Sequence, residues 1–231
     1  MMSLLSFIAG SEDEVLKRYK RLRERGRELN DLLIKQLTKT AIRECAKKLG
    51  LLEGKTLVLD REDELSVLFD YCLYSHRLSG KNTIDRYLES SSTFALLDDE
   101  RLLLKAMADS YYSLFLVDAV QPGKGGILSD LLRDETLFLM DIGLGQSARP
   151  GLMLAGRVLR LPDFNMTSGA LIPVEGDDVR QQVALILKNF LKHKDPGDVV
   201  LSPGQEAAFS AQVIRALLRS GLFDRIRYKE I

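Results

Sequence analysis

The chain is poor in the residues on which familiar metal and nucleophile chemistry depends. Its 231 residues include two cysteines and two histidines. Cys45 and Cys72 lie far apart in apolar, helix-like contexts, which fits reduced core residues and not a disulfide framework. His76 and His193 stand in no H-x-x-x-H spacing and beside no cysteine, so no familiar zinc arrangement is spelled. No metal and no cofactor is expected. Net charge is missing too: 33 basic side chains face 33 acidic ones, so a charge-driven partner must meet a local patch. No apolar run reaches the roughly 18 residues that would span a bilayer. The opening MMSLLSFIAG has no basic leader segment and reads as a packed end. A cytoplasmic protein without a membrane partner is expected.

What is present is a polarity along the first half. Residues 11–48 carry 12 basic and 7 acidic side chains, whereas residues 53–109 carry 7 and 12. The first block predicts a helix starting at Ser11 as N-cap, with three acids in its first turn where the helix dipole favours them. Val15, Tyr19, Leu22, Gly26, Leu29, Leu33 and Leu37 recur every three or four residues and form a narrow seam that asks for a second helix. Gly26 costs about 1 kcal/mol against alanine in a helix interior and marks a close crossing or kink. Gly50 is the expected stop. The same helix places Lys17, Arg18, Lys20, Arg21, Arg23, Arg25 and Arg27 within eleven positions. They are candidate contacts for a polyanion or an acidic partner. The plainer reading, a solvated face met by the acidic 53–109 block, is preferred.

Further helices are expected from Asp60 or Glu62 through Leu73, around Ile84 to Leu88, and from Asp98 to about Ser110. The carboxylates of Asp60, Glu62, Asp63, Glu64 and Asp70 raise the idea of a Mg²⁺ site, but capping and the helix dipole explain acids crowded at a helix start. Residues 1–112 thus form a helical unit.

At Ser113 the period changes. LFLVDAV, ILSDLL, TLFLMDI, GLMLAGRVLRL and FNMTSGALIPV read as five short strands, and residues 113–174 as a small five-stranded antiparallel barrel of the SH3-like or OB-like kind. PGKGG, between the first two, is no phosphate loop, because Lys124 is followed by glycines and β-like sequence instead of Ser or Thr opening a helix. It reads as a hairpin turn. GLGQSARP reads as another loop. Lys124, Arg149, Arg157 and Arg160 are the barrel's candidate basic contacts, although Phe115, Phe138 and Phe164 read as core and not as stacking platforms. Residues 175–231 predict helices packing on the barrel, from Asp177 and from Ser202-Pro203 to Gly221, then an edge strand in LFDRIRYKEI. The fold class is α+β. No G-x-S-x-G elbow occurs, and Thr167, Ser168 and Gly169 have no recognisable base nearby.

SLFLVDAVQPGKGGILSDLLRDETLFLMD, PGLMLAGRVLRL and the final SG, with AIRECAKKLGLLEGKTLVLD and SYYSLF before them, resemble uncharacterised bacterial proteins related to the SEC-C-motif group, over residues 41–174. The zinc cluster of that group is absent here. The resemblance therefore implies a fold without an activity. The first functional expectation is a non-catalytic interaction or assembly protein, a homodimer or protein complex formed through the N-terminal helix. The second is an RNA- or DNA-associated protein using residues 17–27 and the barrel, and the third an enzyme of unfamiliar type.

Overall fold

The computed structural model describes residues 4–59, 62–90, 97–192 and 199–219. Helix α1 spans Leu4–Ile34, so Ser11 lies inside it and does not cap it. Asp13 and Glu14 need no helix end, because both pair with Lys17 about one turn on, at 2.8 and 3.8 Å. The predicted seam is real: Tyr19, Leu22, Leu29 and Leu33 are buried. Its partners come from this chain, namely α3 (Glu62–Tyr74), α4 (Thr83–Leu88), α5 (Asp98–Ala108) and one side of the barrel. Tyr19 meets Phe164 edge-on at 5.9 Å. The buried part of the seam is thus covered by this chain's own helices and barrel.

Between α1 and α3, helix α2 (Lys39–Leu49) starts on Thr38, whose Oγ1 accepts from the Ala41 amide at 3.1 Å. It stops at Gly50 with φ +79°, a left-handed conformation that a side chain would oppose. A short hairpin of β1 (Leu52–Glu53) and β2 (Thr56–Leu57) leads on to α3. Asp60 lies outside the described residues.

Strands β3 (Tyr111–Gln121), β4 (Gly125–Asp130), β5 (Glu135–Met140), β6 (Met153–Arg160) and β7 (Asn165–Thr167) pair in the cyclic order β3-β4-β5-β7-β6 and back to β3, a closed barrel. The all-antiparallel expectation is overturned. β5 and β7 run parallel at Leu139 and Asn165, and topology requires it, since a closed ring with an odd number of strands cannot alternate direction throughout. The fifth predicted run is two strands, β7 and β8 (Ile172–Val174), with β8 paired outside the ring to β6. PGKGG is the β3–β4 hairpin, closed by the Lys124 amide on the Gln121 carbonyl at 3.0 Å. Gly125 is required there, because a Cβ would sit 2.0 Å from the Leu139 carbonyl oxygen.

GLGQSARP is not simply a loop. Helix α6 (Ile142–Ser147) begins it, capped by Asp141 Oδ1 on the Leu144 amide at 2.9 Å. Gly145 lowers helix propensity but lets α6 lie on the hairpin, where a Cβ would come within 2.7 Å of the Gln121 carbonyl oxygen. The C-terminal helices are α7 (Asp177–Leu191) and α8 (Pro203–Arg219). α8 opens with a reciprocal cap between Ser202 and Gln205. Phe209, Val213, Ile214 and Leu217 of α8 pack with Cys45, Tyr71 and Cys72 of the helical half and with Tyr112 and Val174 of the barrel. The cores therefore cross the boundaries drawn at 112 and 174. Both cysteines are buried and unbridged. His193 and LFDRIRYKEI lie outside the described residues.

Leu22 is fully buried in the α1 seam. Leu22→Ala is expected to cost about 2–5 kcal/mol in urea unfolding and to leave the mass in light scattering unchanged. A fall in mass without loss of stability would mean that the seam holds a second copy.

Candidate functional site

The residues singled out as basic contacts do not form one patch. Seven charges in eleven helical positions point to every side of α1, at about 100° per residue, and those that face inward are docked. Arg18 pairs with Asp163 of the β6–β7 loop, and Arg21 with Asp99 of α5 at 2.7 Å. Arg23 donates to the Thr167 carbonyl at 2.5 Å, to Thr167 Oγ1 at 2.9 Å and to Asp141 at 3.2 Å. Arg25 pairs with Glu28 at 2.6 Å and Lys17 with Asp13, both within α1. Lys20 and Arg27 are exposed. The plainer expectation is also corrected: of these partners only Asp99 belongs to the acidic 53–109 block, and the barrel supplies Asp141 and Asp163.

On the barrel, Lys124 sits half-buried in the hairpin and Arg149 is exposed. Arg160 pairs with Glu135 and donates to Tyr111 Oη at 3.1 Å. Arg157, expected at the surface, is buried, with its side chain 3% exposed. Nothing in LAGRVLRL marks it, because its partners lie on distant helices. Its Nη1 donates to Glu206 of α8 at 2.9 Å and to Ser110 Oγ at 3.3 Å. Its Nε lies 3.8 Å from Asp70 of α3, and its guanidinium stands over the Tyr74 ring at 4.5 Å.

Asp70 and Tyr74 lead to the site that the sequence reading missed, a cleft of about 350 Å³ between α1, α3, α5 and the barrel. α1 presents Arg23, Gly26, Arg27 and Asn30 to it, and α3 presents Phe69, Asp70, Leu73 and Tyr74. Both sets are spaced three and four apart, so each is one helical face. Met166 through Ala170, the end of β7 and the turn after it, also line it, as do Asp31 of α1 and Leu103 and Met107 of α5.

The polar groups around the cleft are incompletely matched. Two carboxylates, Asp70 and Glu206, share the Arg157 guanidinium, and Glu206 takes the direct hydrogen bond. Burial pushes the Asp70 carboxyl above its ordinary value, while Arg157 pulls it down without cancelling the shift. Burial likewise raises the Tyr74 and Tyr112 phenols. Asn30 Oδ1, Tyr74 Oη, Tyr112 Oη, Arg157 Nε and Ser168 Oγ are buried without a hydrogen-bond partner. Ser168 lies beside Asp70, where its hydroxyl lowers the carboxyl's pKa from a position short of good hydrogen-bond geometry. Each such atom costs about 1–3 kcal/mol if nothing satisfies it. Buried Asp130 accepts through Oδ1 from Ser113 Oγ and from the Leu132 and Arg133 amides and serves the β4–β5 turn, with Arg133 3.6 Å from its unbonded Oδ2.

Among the described residues, no group of three or more His, Cys, Asp and Glu is placed to hold a metal ion, and His76 bonds Glu44 at 3.0 Å. Nor, among them, is any helix long and apolar enough to cross a membrane.

Barrel, helices and cleft together define an α+β protein with a closed five-stranded barrel and helices at both ends. The chain belongs to DUF7986, a family of unknown function, which it matches over residues 13–196. No curated protein and no solved structure matches it.

Because folding raises the Asp70 pKa, this group's contribution to stability is fully present below the unfolded carboxylate range and is lost as pH rises through the folded value. Asp70→Asn is expected to raise the urea midpoint at neutral pH relative to wild type, with the difference shrinking in acid. A variant less stable than wild type at neutral pH would mean that attraction to Arg157 outweighs the cost of burial.

Proposed function

We propose that the protein is a cytoplasmic, non-catalytic interaction protein whose partner is a small molecule held in the cleft between α1, α3 and the barrel. The observation that carries this reading is a roughly 350 Å³ cleft whose lining residues include Asp70, short of a direct bond to Arg157, and Asn30, Tyr74 and Ser168, each with a buried polar atom left unpartnered. Small-ligand sites combine such a volume with a few convergent polar groups in a largely apolar wall. Binding is favoured over catalysis because, among the described residues, the lining holds no histidine or lysine and the carboxylate beside Ser168, Asp70, is directed to Arg157.

We read the barrel as OB-like and not SH3-like, since its third and fifth strands run parallel and a helix joins the third to the fourth. In OB barrels the face of the second and third strands and the adjoining loops bind oligonucleotides or oligosaccharides. Here that face carries Glu135, with Asp118 bonded by Ser129 next to it. Phe115 is interior, and Phe164 is buried against Tyr19. With Glu135 already paired to Arg160 and Phe138 the aromatic of that third strand, half-buried, this face suits a nucleic acid poorly, and Arg18, Arg21 and Arg23 are already paired.

The test is to purify the full chain gently from its native cells, denature it and analyse the released small molecules by mass spectrometry, with Gly26→Leu as the comparison. One compound near equimolar amount with wild type, and little with the variant at unchanged helicity, is the expected result. Recovery of nucleic acid that leaves at high salt would replace this reading with the polyanion one. Release of nothing from either protein would overturn it.

A further inference from the structure

The charge balance of the cleft says what kind of molecule it takes, an argument that rests on the reading of the cleft as a ligand site. Arg23 is neutralised by Asp141 and spends its donors on Asp141 and Thr167. Arg157 is shared by Asp70 and Glu206, and the exposed Arg27 and Asp31, which also line the cleft, offset each other, which leaves a surplus of one negative charge. Of the two acids, Asp70 lacks the direct bond, and it is Asp70 that lines the cleft. Asn30 Oδ1 is a pure acceptor and the Tyr74 hydroxyl accepts as readily as it donates, while the Ser168 hydroxyl is turned to Asp70. Phe69, Leu73 and Met166 supply apolar wall in the same cleft.

Gly26 is the independent observation. A glycine inside a 31-residue helix costs about 1 kcal/mol against alanine, and packing does not demand it. A Cβ there would meet only Met166 Cε at 3.9 Å, an ordinary contact. What the missing side chain leaves is space on the cleft wall formed by α1.

We propose that the cleft binds a small organic cation, a primary amine on an apolar body, with its ammonium on Asp70 and its body against Phe69, Leu73 and Met166. An ammonium has three donors and no acceptor, which matches a carboxylate on the cleft wall that lacks a direct bond to its guanidinium. It also supplies the positive charge that one guanidinium between two carboxylates lacks. A small anion would meet the surplus negative charge, would find Arg23 held by Asp141 and Thr167, and would be left with the exposed Arg27.

The experiment is a ¹H–¹⁵N NMR titration of the full chain with phenethylamine, with phenylacetate and 2-phenylethanol as the anionic and neutral probes of matching body. Phenethylamine is expected to shift the amides of residues 66–74 and 166–170 saturably and to bind most tightly of the three. Its affinity should fall about ten-fold or more in Asp70→Asn, fall with pH as Asp70 takes up a proton, and vanish in Gly26→Leu. In Asp70→Asn, Arg157 keeps its Glu206 partner, and the spectrum without ligand reports whether the fold is kept. Equal or tighter binding of phenylacetate, lost in Gly26→Leu, would overturn the cation assignment and leave the ligand cleft standing. So would phenethylamine binding that is blocked by Gly26→Leu and indifferent to Asp70→Asn. No saturable shift with any of the three would overturn both, with water as the occupant that satisfies the polar atoms.

Discussion

The buried guanidinium of Arg157 ties the molecule together. A charge with its side chain 3% exposed is tolerable only when paired and hydrogen-bonded, and the groups that meet this need come from separate elements. Glu206 is in the first turn of α8, Asp70 lies on α3, Ser110 follows α5, and the Tyr74 ring lies against its face. Arg157 itself is on β6, the strand that pairs with β3, β7 and β8. One side chain therefore sets the positions of three helices against the barrel. The same arrangement is unbalanced by one carboxylate, and that imbalance makes the adjacent cleft a place for chemistry and not only for packing.

The cleft exists because α1 is held to the barrel at particular points. Arg18 on Asp163 and Arg23 on Asp141 and Thr167 clamp it, and Tyr19, Leu22, Leu29 and Leu33 fill one core with α3, α4, α5 and barrel residues. Gly26, Asn30 and Ile34 fall on the face between these anchors and line the cleft. Basic residues that suggested a polyanion surface are thereby used, in part, as internal fasteners.

Local signals were legible where local physics decides. The seam of α1, the stop at Gly50, the Ser202-Pro203 start of α8 and the turn nature of PGKGG each depend on helical spacing, a cap or a glycine conformation within a few residues. α6 was not legible, because Gly145 is present for a close approach to the β3–β4 hairpin, and propensity reads that glycine as a break. The division of FNMTSGALIPV into β7 and β8 was also hidden, because each half pairs with a different stretch of β6. In the site, Asp70 and Ser168 were both noticed, but in separate contexts, as a helix-start acid and as a serine without a base.

By itself, then, the sequence determined an α+β protein with a helical first half, a β-rich middle and helices after it, since hydrophobic period and turn chemistry are properties of neighbouring residues. Only the tertiary structure decided that the seam of α1 is covered by its own chain, that the five strands close with one parallel pair, and that Arg157 lies inside with Asp70 left short of a partner. Those outcomes depend on which distant groups meet. Burial and the pairing of charges are energies of three-dimensional neighbours, and no spacing along the chain encodes them.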